Sequence, residues 1–454
     1  MVSEEKLMLI DFKIENNLSF KESTTFTMQT GARLVKFNDT HILKNDNVNL
    51  LKNAMIFGAN GSGKTNLFTS LDQFKRLLLT LGDAKQTSKN IVTNPFRMQY
   101  ENKNKPTKFD ITLLLKKKIY NYCIEFNEEQ IILEKLLEIK KNKESILFER
   151  IYQHEDEYKY EINSNRIDKK LQNFTRKNNL FLSVLASFNN KIALEIMDWF
   201  QNKLVLIRDD SMEFERDPLA AKLLDTKFKE EVLNILKIAD FNIEDIKVTK
   251  RIVKADPQFF KLMEEVSKQI GGSLLTEVII HEITLIYNNY DNEGRVVGSS
   301  EIGLLEDSKG TIKMLYIAAI IVDSFNEGRT ILLDEFDTAF HLAICEFLIA
   351  LFNSKRNMNN QFILITHELE LLDCELRVDQ IWFAQKNYKN ETELYSLFDF
   401  NDLNNRKRSD VSYAKKYIKG QFGAKPVIDL LSAKNYFLNT DLNLNLFEGS
   451  ELNE

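Results

Sequence analysis

Apolar and polar residues alternate along "LMLIDFKIENNLSF", which predicts a strand turning at Asn16-Asn17. A short apolar run, "NLLKNAMIFGAN", predicts a second strand that enters a glycine loop. The spacing then changes to that of a helix in "NLFTSLDQFKRLLLTLG", with Leu67, Leu71, Phe74 and Leu78 on one face. Between residues 107 and 165 the runs "TKFDITLLL", "KKIYNYCIEF", "QIILEKLLEI", "SILFERIYQ" and "EYKYEI" predict an antiparallel sheet. From about 170 to 270 the spacing is mostly helical, without a heptad sustained long enough for a coiled-coil arm. Strands return in "SLLTEVIIHEITLIYNN". A helix at 311–326, a strand at 329–334, a helix at 339–353 and a strand at 361–366 follow. That β-α-β-α order predicts a parallel sheet covered by helices, hence an α/β fold with an antiparallel β part. No internal repeat is visible. The last twenty or so residues are acidic and Asn-rich and read as a loosely held tail.

Composition narrows the classes only a little. With 454 residues, 43% hydrophobic and 28% charged, the chain can bury a large core across two or three units. The net charge of −6 excludes a globally basic nucleic-acid coat but leaves room for a local basic groove. Cys123, Cys345 and Cys374 lie far apart with no C-x-x-C spacing, which suits core thiols in a reduced, cytoplasmic protein. Glu4, Glu5 and Lys6 break any signal-peptide pattern, and no apolar run is long enough to span a membrane.

Chemistry enters at residues 58–65, "GANGSGKT", a full match to G-x-x-x-x-G-K-[ST] between a predicted strand and a predicted helix. Glycines let the backbone curl so that successive N–H groups face phosphate oxygens, and the helix start adds positive potential. Lys64 brings a cation to the β- and γ-phosphates, and Thr65 offers a hydroxyl to Mg²⁺. Gly58, Asn60, Gly61, Ser62, Gly63 and Asn66 complete the expected loop.

Two later strands carry further candidates. "RTILLDEFD" ends in Asp334-Glu335, on the side of a parallel sheet where ligands bind. Asp334 is placed to hold Mg²⁺ and Glu335 to polarise a water, although strands also end in merely solvated acids. "QFILITHELELLD" ends in Thr366-His367, where the imidazole is either structural or a donor to a γ-phosphate. His341 follows the acids closely and has either a chemical role or one in packing or capping. His41, His154 and His281 show no metal-ligand spacing.

The motifs "GANGSGKTN", "ILLDEFDTAFH" and "ILITHELELLD" resemble those of ABC-class ATPase heads of the SMC-like and OLD-like kind. The longer match, over residues 8 to about 430, resembles bacterial ATPases of abortive-infection and anti-phage systems. It implies an ABC-type P-loop NTPase head in two lobes: residues 1–165, and residues 276–430 with the signature, acidic strand and histidine. A mainly helical insertion (166–275) and an acidic tail (431–454) complete that division. The resemblance implies that Ser308 and Gly310 bind the γ-phosphate of ATP held by another copy. Lys309 and Thr311 stand where transporter signatures have glycine and glutamine. Ser308 is equally the expected N-cap of the following helix, and the two roles are compatible. Asp337 matches the acid of the loop where two subunits meet, and Gln99 is the nearest candidate for the glutamine that joins metal to water.

The function so implied is an ATP-hydrolysing, Mg²⁺-dependent subunit, a homodimer or larger homo-oligomer built through trans ATP sites. The insertion is the expected output element. Only about sixty residues follow Tyr395, too few for the Toprim nuclease of OLD-like proteins. A separate effector, a nuclease or toxin, is therefore expected. A DNA-repair or chromosome-maintenance ATPase would carry the same motifs, whereas a transporter subunit or a non-hydrolysing scaffold fits less well. Basic runs at 116–118 and 406–420 are either nucleic-acid contacts or solvated faces.

Overall fold

The computed structural model describes residues 7–80, 90–140, 143–155, 157–208, 216–254, 277–400 and 412–425. Strands β1 (Leu7–Glu15) and β2 (Thr24–Thr27) are followed by the short β3 (Ile42–Leu43) and β4 (Leu50–Leu51). Then come β5 (Asn53–Phe57) and helix α1 (Lys64–Thr80). Strands β6 (Thr107–Leu115), β7 (Lys118–Phe126), β8 (Ile131–Lys140), β9 (Lys143–Tyr152) and β10 (Tyr158–Ile162) form consecutive hairpins. With β1 and β2 they make an antiparallel sheet of order β10-β9-β8-β7-β6-β1-β2. Helix α1 lays Leu67, Leu71, Phe74 and Leu78 on this sheet, all buried. The Phe74 ring meets Phe109 at 5.2 Å and Phe200 at 5.2 Å, so the predicted helix face is the one the core uses.

Helices α2 (Phe181–Ser187) and α3 (Lys191–Asp198) lead into β11 (Leu204–Ile207). Next are α4 (Arg216–Leu223), α5 (Thr226–Ile238), β12 (Asp245–Lys254), β13 (Glu277–Tyr290) and β14 (Val296–Gly303). The remainder is α6 (Lys309–Glu327), β15 (Thr330–Leu333), α7 (Leu342–Asn353), β16 (Gln361–Ile365), β17 (Ile381–Lys386), β18 (Thr392–Ser396) and α8 (Tyr413–Ile418). A second sheet has the order β11-β15-β16-β5-β17-β18, parallel except for the β17–β18 pair. Every residue of β5, β15 and β16 is buried, as expected of strands covered on both faces. Strands β12, β13 and β14 form a separate antiparallel sheet.

Among its described residues the segment 166–275 is mainly helical, as read, but part of it belongs to the head rather than to an insertion. Its strand β11 pairs in register with β15 and is an edge of the parallel sheet. Leu180, Phe181, Trp199 and Phe200 belong to the same core as α1 and the antiparallel sheet. Four strand residues after a helical turn leave too short a run for alternation to register. Part of this segment (209–215 and 255–275) lies outside the described residues, as do the tail 431–454 and the basic residues 406–411. In the other basic run, Lys116 pairs with Glu195 at 2.9 Å and Lys118 with Glu138 at 3.5 Å. Cys123 and Cys345 are buried and free, and burial pushes both thiols up to about 12. No helix among the described residues is long and apolar enough to cross a membrane.

One charged cluster is sealed inside this frame. Glu134 and Arg150 are both 0% exposed. The Glu134 carboxylate accepts from the N–H groups of Phe181 (2.7 Å) and Leu182 (2.8 Å) and from the Tyr122 hydroxyl (2.9 Å). Arg150 donates to the carbonyls of Asn179 (2.7 Å) and Arg176 (2.8 Å), so the pair pins the start of α2 to the sheet. Glu134→Ala would leave a buried guanidinium without its counter-ion. The expected loss is about 3–5 kcal/mol, read as a lower denaturation midpoint at unchanged m-value. A loss below about 1 kcal/mol would show that the cluster does not hold α2 in place.

Candidate functional site

The glycine loop joins β5 to α1 at the C-terminal edge of the parallel sheet. Gly61 (φ +75°) and Gly63 (φ +102°) take conformations that side-chained residues rarely adopt. A Cβ at Gly63 would also collide with Thr392, whose Oγ1 lies 2.9 Å from the Ser62 carbonyl and 2.7 Å from Ser19 Oγ. Asn66 donates to Ser19 as well. Behind the loop, the Ala59 N–H donates to the Ala424 carbonyl (3.3 Å), so the segment after α8 braces it. Asn60, Gly61 and Thr65 are exposed, while the Ser62 hydroxyl is buried without a hydrogen-bond partner. Lys64 is buried and arches back over the loop, donating to the carbonyls of Gly58 (2.7 Å) and Ala59 (3.0 Å). Burial lowers its pKa to about 8, against the pull of the Asp334, Asp337 and Glu335 carboxylates.

Strand β15 delivers the acids. The Asp334 N–H donates to the Ile207 carbonyl (3.0 Å), which continues the pairing with β11. Asp334 is buried, and its Oδ1 accepts from the Thr65 hydroxyl at 3.4 Å. Arg208 Nε stands 3.7 Å from Asp334 Oδ2. Desolvation raises the Asp334 pKa, and Arg208 and Thr65 oppose the shift. Glu335 is exposed and sits at φ +53°, which turns the chain sharply after the strand. Lys313 of α6 braces that turn by donating to the carbonyls of Glu335 (2.7 Å) and Thr338 (2.9 Å).

His367 follows β16, the strand between β15 and β5. Its N–H donates to both oxygens of Asp337 at 3.4 Å. Its Nδ1 lies 3.3 Å from Lys64 Nζ. Burial first, then the Lys64 charge, lowers its pKa, so the neutral ring is favoured. With the ammonium as donor, Nδ1 accepts and the ring proton is on Nε2, free to point at a ligand. The structure thus brings Lys64, Thr65, Asp334, Asp337 and His367 into one constellation.

Ser308 and Gly310 form the start of α6. Ser308 is exposed and caps the helix, accepting from the Thr311 N–H at 3.0 Å. Asp307 accepts from the Ser308 N–H (2.7 Å) and from the Tyr287 hydroxyl (2.6 Å), which ties this corner to β13. A Cβ at Gly310 would lie 3.0 Å from the Ala339 carbonyl, so the helix start abuts the loop containing Asp337. Among the described residues, no hydrogen bond joins Ser308 or Gly310 to the glycine loop of the same chain. His341 caps α7, its Nδ1 accepting from the Ala343 N–H at 3.2 Å. Gln99 is exposed before a short 3-10 helix and makes none of the contacts around Asp334. That flank belongs to Arg208, because the strand beside β15 is β11.

Sequence reasoning passed over Arg208, Lys313, Ser19 and Thr392. No motif contains them, and only an apolar run ending at Ile207 pointed towards Arg208. The donor set fits a metal-bound polyphosphate: a hydroxyl and a carboxylate 3.4 Å apart suit a hard divalent cation. The loop, Lys64 and the first-turn N–H groups of α1 suit the phosphates.

A phosphate loop, an acid-ended strand and a histidine-ended strand, neighbours in one parallel sheet with an antiparallel lobe, define an ABC-type P-loop NTPase head. The chain belongs to the AAA-domain family described as "AAA domain, putative AbiEii toxin, Type IV TA system", which matches residues 54–373. It therefore carries an AAA-family ATPase domain. No curated protein sequence matches it. Among solved structures, an SmcHead bound to the C-winged helix domain of ScpA is similar at 12% identity and TM-score 0.40, over 86% of this chain and 97% of that one. The SMC head domain from Thermotoga maritima is similar at 12% identity and TM-score 0.36, over 86% and 98%. An Smc head with an extended coiled coil, bound to the C-terminal domain of ScpA from Pyrococcus furiosus, gives 11% and 0.37, over 86% and 96%.

The lowered Lys64 pKa has a signed consequence. Below about pH 8 the free lysine is charged; above it, a polyphosphate must restore the proton. Affinity for an ATP analogue is therefore expected to fall up to about tenfold per pH unit above the lysine pKa, with net proton uptake in calorimetry. Constant affinity from about pH 7 to about pH 9.5 would show that Lys64 does not titrate against the ligand.

Proposed function

We propose that this chain hydrolyses ATP with Mg²⁺ at a site completed by a second copy, and that the cycle controls a separate effector, a nuclease or toxin, in anti-phage defence. The observation that carries the ATPase reading is the convergence of Lys64, Thr65, Asp334 and His367 at one edge of the parallel sheet. Lys64 neutralises the β- and γ-phosphates, with Gly58, Asn60, Gly61, Ser62, Gly63 and Asn66 shaping the cradle. Thr65 and Asp334 hold Mg²⁺, which when bound supplies Lewis-acid stabilisation of phosphate charge. Glu335, exposed beyond the strand, orients the attacking water and accepts its proton. His367 donates from Nε2 towards the γ-phosphate, and Asp337 holds its backbone.

The dimer reading rests on Ser308. Ser308 is exposed at the positive start of a 19-residue helix and, among the described residues, makes no hydrogen bond to its own phosphate loop. We assign it, with Gly310, to the γ-phosphate of the partner's nucleotide. The defence setting is supported by the family's description, which names a putative AbiEii toxin and a Type IV TA system; the separate effector is our own reading. The free, buried cysteines suit the reducing cytoplasm.

Glu335→Gln is expected to bind ATP but not turn it over, and to accumulate as a dimer or larger assembly in light scattering. A persistent monomer with bound ATP would sink the trans-site reading. Ser308→Arg loses a helix cap worth about 1 kcal/mol and places a bulky cation at the proposed interface. Turnover is expected to vanish while ATP binding stays within about threefold, since Lys64 and Thr65 are untouched. Loss of binding would instead show that Ser308 acts within its own subunit.

A further inference from the structure

Arg208 leaves β11 beside the point where Asp334 leaves β15, because the two strands pair in parallel register up to Ile207 and Leu333. Its Nε is 3.7 Å from Asp334 Oδ2. The guanidinium carbon lies over the Phe68 ring at 4.6 Å, and an NH₂ group donates to Thr69 Oγ1 at 3.2 Å. Thr65, Phe68 and Thr69 share one face of α1, by their three- and four-residue spacing. Thus the two Asp334 oxygens face different groups: Oδ1 meets the Thr65 hydroxyl and Oδ2 meets the arginine.

A buried carboxyl stays ionised only with a counter-ion or hydrogen-bond donors beside it. Lys64 also feels the Asp334 charge, but both nearby lysines donate to backbone carbonyls. Lys64 donates to the Gly58 and Ala59 carbonyls, and Lys313 to those of Glu335 and Thr338. Arg208 is about one-third exposed, at 36%, so its guanidinium has room to swing away from the acid.

We propose that Arg208 is the resident counter-ion of Asp334 and competes with the divalent cation for that carboxylate, thereby setting the metal concentration at which the site loads. This rests on the nucleotide-site reading above. Arg208 is a positioning residue: it acts on the metal through Asp334, and it ties the end of β11 to α1. A metal on Asp334 would take the place of the guanidinium at Oδ2, which would loosen one tie between the ends of β11 and β15.

The test is Mg²⁺ titration of the full chain with a fluorescent ATP analogue, alongside the analogue's affinity in excess chelator. Arg208→Gln is expected to lower the half-saturating Mg²⁺ concentration roughly two- to fivefold, as removal of a partly exposed ion pair allows. Affinity without metal should change less than about twofold, and Arg208→Lys should stay near wild type in its metal requirement. An unchanged or higher Mg²⁺ requirement in Arg208→Gln overturns the proposal. So does a large loss of metal-free affinity, which would place the guanidinium on the nucleotide itself. If Arg208→Gln does not fold, Thr69→Val, which removes one anchor of the guanidinium, is expected to shift the requirement the same way by a smaller factor. No shift in that variant would count equally against the competition. Failure of the wild-type chain to bind the analogue at all would instead overturn the nucleotide-site reading.

Discussion

Everything at this site depends on keeping opposite charges buried at the edge of an apolar sheet. Lys64 and Asp334 are each only 4% exposed. Neither tolerates that position in its charged form without partners, and the shifts show the cost: burial lowers the lysine and raises the aspartate. Two backbone carbonyls satisfy the lysine, while a hydroxyl and a guanidinium flank the aspartate. These partners are exchangeable. On the proposed reading, a polyphosphate would replace the carbonyls and a metal would replace the guanidinium.

The surrounding fold keeps those charges in place. β5, β15 and β16 are adjacent, so the three loops after them open at one edge, where ligands bind in such sheets. The antiparallel sheet supports α1 from the other side through Phe74 and its aromatic neighbours. Lys313 links the helix begun by Ser308 to the turn that carries Glu335. A displacement of that helix would therefore reach the Glu335 turn directly, through the Lys313 hydrogen bonds to the Glu335 and Thr338 carbonyls.

Much of this was legible in the chain. The glycine loop, the Leu67–Leu71–Phe74–Leu78 face and the β-α-β-α ending all reappear in the fold, because each is a local pattern with a local physical cause. Ser308 reads as a helix cap and is one. What escaped was short or discontinuous. β11 has four residues, and β12 is a charged strand whose alternation is masked by the helical spacing before it. Residues 166–275 thus looked like an insertion although part of them completes the central sheet. Gln99 lies away from Asp334, and the strand order puts Arg208 beside that acid instead.

By itself, the sequence determined the phosphate loop, the acid-ended and histidine-ended strands and the cap at Ser308. These depend on φ angles, strand ends and helix starts, which neighbouring residues specify. Only the tertiary structure decided that Arg208 faces Asp334, that Lys313 grips the Glu335 turn and that Thr392 closes on Gly63. Those pairs are joined by strand order and register, and residues on adjacent parallel strands have no spacing in the chain that would announce their contact.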